Sequence, residues 1–168
     1  MGARGVVALA LAAVVVTAGC AGRRIESGVF HSPKGYRVGL PGAEWTVVDA
    51  SRADLELRHH AAPAAMLAHA TCGGQAPAPR LEALSRHLLI GFQSRAIVEW
   101  GDVSVNGRRT AHAVLDGRLA TGGALTRVET YVLKDGRCVY DFALVAPPAS
   151  FETWRAAFRG LVDSFAAE

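Results

Sequence analysis

The chain has 168 residues, of which 51% are hydrophobic and 20% charged, and its formal net charge is +3. That is the length of one globular domain, with too much apolar content for a disordered tail. The charges are interspersed, so no basic stripe of the kind that tracks nucleic acid is present.

In chain order, residues 1–20 read MGARGVVALALAAVVVTAGC: Arg4, an apolar run over 5–16, then small residues before Cys20. The run is too short for an ordinary spanning helix, which takes about 20 apolar residues. Its ending, Thr17-Ala18-Gly19-Cys20, resembles a bacterial lipobox. The resemblance implies a leader over 1–19 that is cut away, diacylglycerol on the Cys20 thiol and an acyl chain such as palmitate on the new amine. Membrane lipid is then a partner, since two or more chains anchor stably where one does not. Ala21, where Asp marks inner-membrane retention, favours the outer membrane and a domain facing the periplasm. The alternatives are a plain secretory leader with an incidental cysteine, or a retained membrane helix. Loss of Arg4 with the leader leaves 17 basic and 15 acidic side chains. The expected organisation is a leader over 1–19, the lipidated cysteine and a short tether over 20–29, and one domain over 30–168.

Within that domain, 36–40 is a short strand closed by the turn pair Pro41-Gly42. Residues 45–48 form a second strand with Trp45 inside. Leu55, Leu57 and His59 alternate with Glu56 and Arg58, giving a third strand with one polar face. The run 63–74 fits a short helix or a strand; its length and its bracketing turn residues favour the strand. A helix follows over 80–92, with Leu81, Leu84, Leu88 and Phe92 on one stripe. Strands over 96–105 and 108–115 flank Asn106-Gly107, a pair suited to a type I′ turn, and Asp116-Gly117 begins another turn. The last third repeats the pattern: a strand over 125–134, Asp135-Gly136 as a hairpin turn, and a strand over 137–145. A closing helix over 151–165 places Phe151, Trp154, Phe158, Leu161, Val162 and Phe165 on one stripe, with Ser150 as its N-cap. The order of elements is α+β, a twisted antiparallel sheet with helices on both faces, and the absence of G-x-G-x-x-G argues against a dinucleotide-binding fold.

Three local patterns carry a resemblance to a known superfamily. They are Tyr36-Arg37-Val38-Gly39-Leu40-Pro41-Gly42 with Trp45 close behind, Tyr140-Asp141-Phe142 on a late strand, and the closing helix ending in Ser164-Phe165. Over residues 30–165 the chain resembles the Mog1/PsbP-like superfamily. The resemblance implies a sandwich of sheet and helices, and a binding or assembly module rather than an enzyme; it transfers no catalytic residues.

The side chains with chemistry to offer are few. Cys72 and Cys138 would lie outside the cytosol, where a disulfide persists; the alternative is two buried free thiols. His59, His60, His69 and Cys72 fall close together in sequence and are the one region where an envelope enzyme or a metal site would be sought. Only His69-x-x-Cys72 has ligand spacing, and on a strand these two point to opposite faces. No metal and no cofactor is therefore expected. Glu99, Asp102, Glu129 and Asp141 lie on or near strands, and solvated cross-strand pairs such as Arg127 with Asp141 or Glu129 with Arg109 are the expected arrangement. Trp100, Arg108 and Arg109 make the candidate exposed ligand patch. The partner classes left open are another envelope protein, a lipid and a small ligand.

Overall fold

The computed structural model describes residues 24–73, 92–118, 123–136 and 138–168. The leader, Cys20, the first tether residues, the 80–92 helix apart from Phe92, and His87 lie outside the described residues.

Eleven strands are described. They are β1 (Arg24–Glu26), β2 (Val29–Ser32), β3 (Tyr36–Gly39), β4 (Trp45–Val47), β5 (Leu55–His59), β6 (Ala65–Cys72), β7 (Gln93–Val105), β8 (Arg108–Arg118), β9 (Leu125–Asp135), β10 (Cys138–Ala146) and β11 (Ala166–Ala167). One described helix, α1 (Phe151–Asp163), follows β10. The strands form two antiparallel sheets, ordered β1-β2-β3-β11 and β4-β5-β6-β10-β9-β8-β7. The expected single sheet is therefore two. The later part of the tether also belongs to the fold, because β1 begins at Arg24, ahead of the boundary expected at residue 30. A tight turn at Ser27-Gly28, with φ of 50 and 76°, joins β1 to β2.

The main core lies between the seven-stranded sheet, α1 and the smaller sheet. Alternate residues of β10 (Tyr140, Phe142, Leu144) and of β5 and β6 (Leu55, Leu57, Met66, Ala68) point into it. Helix α1 answers with Phe151, Phe158, Leu161 and Val162, and packs on β10 and β3. Each large apolar side chain buried this way stabilises by about 1.5–3 kcal/mol relative to exposure. Tyr36, Tyr140 and Phe165 meet at centroid distances of 4.7–6.1 Å and tie the two sheets together. The ambiguous 63–74 run is a strand because it is central: β6 pairs with β5 on one side and β10 on the other.

The turns divide into one as expected and two that differ. Asn106 and Gly107 have φ of 50 and 76° between the last paired residues Val105 and Arg108, as a type I′ turn requires. Asp135 instead pairs with Cys138, so the next turn shifts by one residue and Gly136, with φ of 56°, takes its first central position. Asp116-Gly117 is no turn at all. It continues β8, because Asp116 is held across the sheet by Arg127, and the bare Gly117 backbone admits the Phe92 ring, which an added Cβ would meet at 2.8 Å. Ser150 does stand at the N-cap of α1, but its hydroxyl turns back to the Pro147 carbonyl and makes no bond to a helix N–H.

Candidate functional site

On the sheet face that α1 covers, side chains of the helix reach a buried carboxylate on β9. Glu129, on β9, is fully buried. His112 on β8 places Nε2 2.8 Å from its Oε1, and Tyr131, two residues further along β9 and so on the same face, donates its hydroxyl at 3.0 Å. Arg155 descends from α1 and donates from Nε to Oε2 at 3.0 Å and to Oε1 at 3.2 Å. Its other end reaches Glu99 on β7 at 2.7 Å, and Arg159, one turn later on α1, stands 3.8 Å from Glu129.

Burial opposes ionisation of Glu129, but the bonds from His112 and Arg155 outweigh it and hold the carboxyl below its ordinary range. The bond from Arg155 likewise keeps Glu99 ionised. Burial, with the negative charge of Glu129, pushes the Tyr131 hydroxyl up to about 12, so it remains a donor. Both oxygens of Glu129 are taken by donors from the protein itself. This is a buried hydrogen-bonded network that ties helix to sheet. Beside it opens a cleft of about 300 Å³ lined by Glu99, Val103, His112, Tyr131, Arg159 and Asp163.

Of the four carboxylates considered from the sequence, Glu99 and Glu129 are brought together through Arg155. Asp102 is held by Arg109 on the neighbouring strand. Asp141 stands apart, on the opposite face of the sheet. The two cross-strand pairs expected differ: Arg127 takes Asp116 in a two-pronged contact of 2.7 and 2.9 Å, and Glu129 takes the helix arginine. Register explains both, since Arg127 lies directly opposite Asp116 and Arg109 directly opposite Ser104, one diagonal step from Asp102. Nothing in the sequence pointed to Arg155; its only signal is a cation inside an otherwise apolar helical stripe.

The candidate patch is split by strand alternation. Trp100 is partly exposed and shares a face with Arg109, while Arg108 points to the other face and pairs with Asp135 at 2.7 Å. The histidine region is dispersed too. His59 packs between Trp45 and Trp154, 5.3 and 4.2 Å from their ring centroids, on the core side. His60 is exposed, and His69 faces the other side of the sheet. Cys72 and Cys138 are opposed across β6 and β10 with their sulfurs 2.04 Å apart, so the pair is disulfide-capable. Among the described residues no three His, Cys, Asp or Glu side chains converge to hold a metal.

No family model and no curated protein sequence matches the chain. Solved structures do. The cyanobacterial PsbP (CyanoP) of Synechocystis superposes with a TM-score of 0.63 over 93% of this chain and 98% of its own, at 11% identity. The fold is PsbP-like. A Bacteroides thetaiotaomicron protein matches with a TM-score of 0.61 over 86% of this chain and 49% of its own, at 11% identity. LpqN, described as involved in cell envelope biogenesis of Mycobacterium tuberculosis, matches with a TM-score of 0.50 over 78% of this chain and 82% of its own, at 17% identity. The PsbP-like sheet and its closing helix position the Glu129 network. Among the described residues no helix is long and apolar enough to cross a membrane.

Proposed function

We propose that the chain is a lipid-anchored, non-catalytic binding or assembly module of the bacterial cell envelope, processed at Cys20 and facing the periplasm from the outer membrane. The observation that carries this reading is the lipobox-like Thr17-Ala18-Gly19-Cys20, separated from β1 by only Ala21 to Arg23. Those residues span no more than about 14 Å even when extended, so the domain would ride close against the bilayer. Likeness of fold to an envelope-biogenesis protein supports the same compartment. The internal saturation of Glu129, with Cys72 and Cys138 at bonding distance, supports binding over catalysis. In this compartment the cysteine pair would be oxidised.

The test is the intact mass of protein purified from bacterial membranes without reductant, repeated after reduction and thiol labelling. The expected mass lacks residues 1–19 and gains diacylglycerol and one further acyl group. Two labels are expected only after reduction. Cys20→Ala should abolish both the lipid and the membrane association. An unlipidated wild-type mass would overturn the anchored reading.

A further inference from the structure

On the sheet face away from α1, β6 and β10 set a carboxylate and an imidazole side by side, with few partners among the described residues. Asp141 and His69 are direct cross-strand partners, so their side chains stand next to each other. Among the described residues no donor reaches the Asp141 carboxylate, and burial alone pushes its pKa up to about 6. His69 Nδ1 is buried without a hydrogen bond, 3.5 Å from Asp54 Oδ1. Asp54 is already committed: Lys34 lies 2.7 Å from it, and its other oxygen accepts from Tyr36 and from the Ala70 amide. Buried polar groups in folded proteins are nearly always paired, yet among the described residues nothing donates to the Asp141 carboxylate and only the long Asp54 contact faces His69 Nδ1.

Both side chains line one cavity of about 240 Å³, walled by Leu67, Ala53 and Ala143, with the exposed Arg52 at its edge. Among the described residues Arg52 makes no ion pair and no cation pairs with Asp141. Two opposite charges therefore border the same apolar hollow without meeting. We infer that this cavity binds a small zwitterion, whose ammonium sits on Asp141 beside His69, whose short carbon chain lies against Leu67 and Ala143, and whose anionic group meets Arg52. An ammonium offers the N–H donors that the carboxylate lacks, and pairing removes the cost of a lone charge held away from water. The inference rests on the binding-module reading and gives it a ligand class. A free phosphorylated amine and an ethanolamine lipid headgroup present this same chemistry.

The experiment is an NMR titration of the isotopically labelled mature chain with O-phosphoethanolamine, and separately with vesicles of phosphatidylethanolamine in phosphatidylcholine, using phosphatidylcholine vesicles as the control without N–H donors. Saturable shifts at Leu67, His69 and Asp141 are expected, with an affinity for the soluble probe of roughly millimolar. Asp141→Asn should weaken it at least about tenfold, and Arg52→Ala should weaken it less. If Asp141→Asn fails to fold, Ala143→Leu serves instead: it fills the hollow and leaves both charges, and the same loss is expected. Shifts with the soluble probe alone would assign a free zwitterion, and shifts with the ethanolamine vesicles would assign a headgroup. No saturation with either, or binding that Asp141→Asn and Ala143→Leu leave unchanged, would overturn the inference. The titration reads binding whether or not Cys20 carries lipid, so its failure leaves the anchoring result untouched, and an unlipidated mass leaves the titration valid.

Discussion

Two carboxylates, back to back across one sheet, have opposite environments and should impose opposite pH slopes on stability. Glu129 is surrounded by donors and its pKa is lowered. Its contribution is present above its unfolded pKa and is lost as the pH falls through the folded value. Replacing it by Gln would leave Arg155 and His112 facing a neutral group in a dry site, so Glu129→Gln should cost about 3 kcal/mol at pH 7, read as a lower urea midpoint. Asp141 has no donor among the described residues, and burial raises its pKa to about 6 from an ordinary 3.8. The folded state then binds the proton more tightly than the unfolded one. Stability falls as the pH rises through this window, and the full penalty stands above it. Asp141→Asn should therefore stabilise the protein by about 1–3 kcal/mol at pH 8, and the gain should vanish near pH 4. Urea melts of both variants at the two pH values check the signs. The sequence offered Glu99, Asp102, Glu129 and Asp141 as a set of strand carboxylates. It did not sort them, because the sorting depends on which face α1 covers and on Arg155, and neither is a local property.

Among the elements, those announced by steric and periodic rules were the most legible. The Asn106-Gly107 turn was readable because both of its residues tolerate positive φ, and α1 because its apolar spacing admits one buried face. The turn also closes the end of the helix. The Asn106 amide donates to the carbonyls of Asp163 and Phe165, at 3.0 and 2.8 Å, just where α1 runs out of partners. Asn106→Ala should lose both bonds and the favourable backbone and cost about 1–2 kcal/mol, visible as a drop in Tm with the fold retained by circular dichroism. Elements held only by distant partners stayed hidden. β11 is Ala166-Ala167, with no strand signal of its own, and it forms because β3 presents an open edge, extended by the Glu168 amide bonding to Gly35. β1 was hidden because it is short and exposed, with Arg24 and Glu26 flanking Ile25 at a sheet edge. Asp116-Gly117 misled because its composition suits a turn, while a cross-strand arginine and an approaching ring hold it in a strand.

At the scale of the whole molecule, the sequence-level resemblance and the structural comparison agree on a PsbP-like architecture even though identity with the solved structures is 11–17%. Agreement at such identity is physical: an alternating sheet capped by one amphipathic helix is specified by pattern more than by particular residues. The disulfide-capable cysteine pair would add a long-range brace to it. Cys72 and Cys138 lie 66 residues apart in sequence, enclosing β7, β8 and β9. Closing a loop of that length should stabilise by about 2–4 kcal/mol, measured as the fall in urea midpoint on reduction or in a Cys72→Ala, Cys138→Ala double variant.

The same closure changes what a protease can accomplish. With the pair oxidised, the backbone between Cys72 and Cys138 would be one arc of a covalent ring, so a single cut there would sever no connection between the two ends of the chain. A nicked molecule would keep β6 and β10 joined and migrate as one species until a reductant divided it. In a compartment with resident proteases, damage to the outer hairpins would thus not by itself release the rest of the domain.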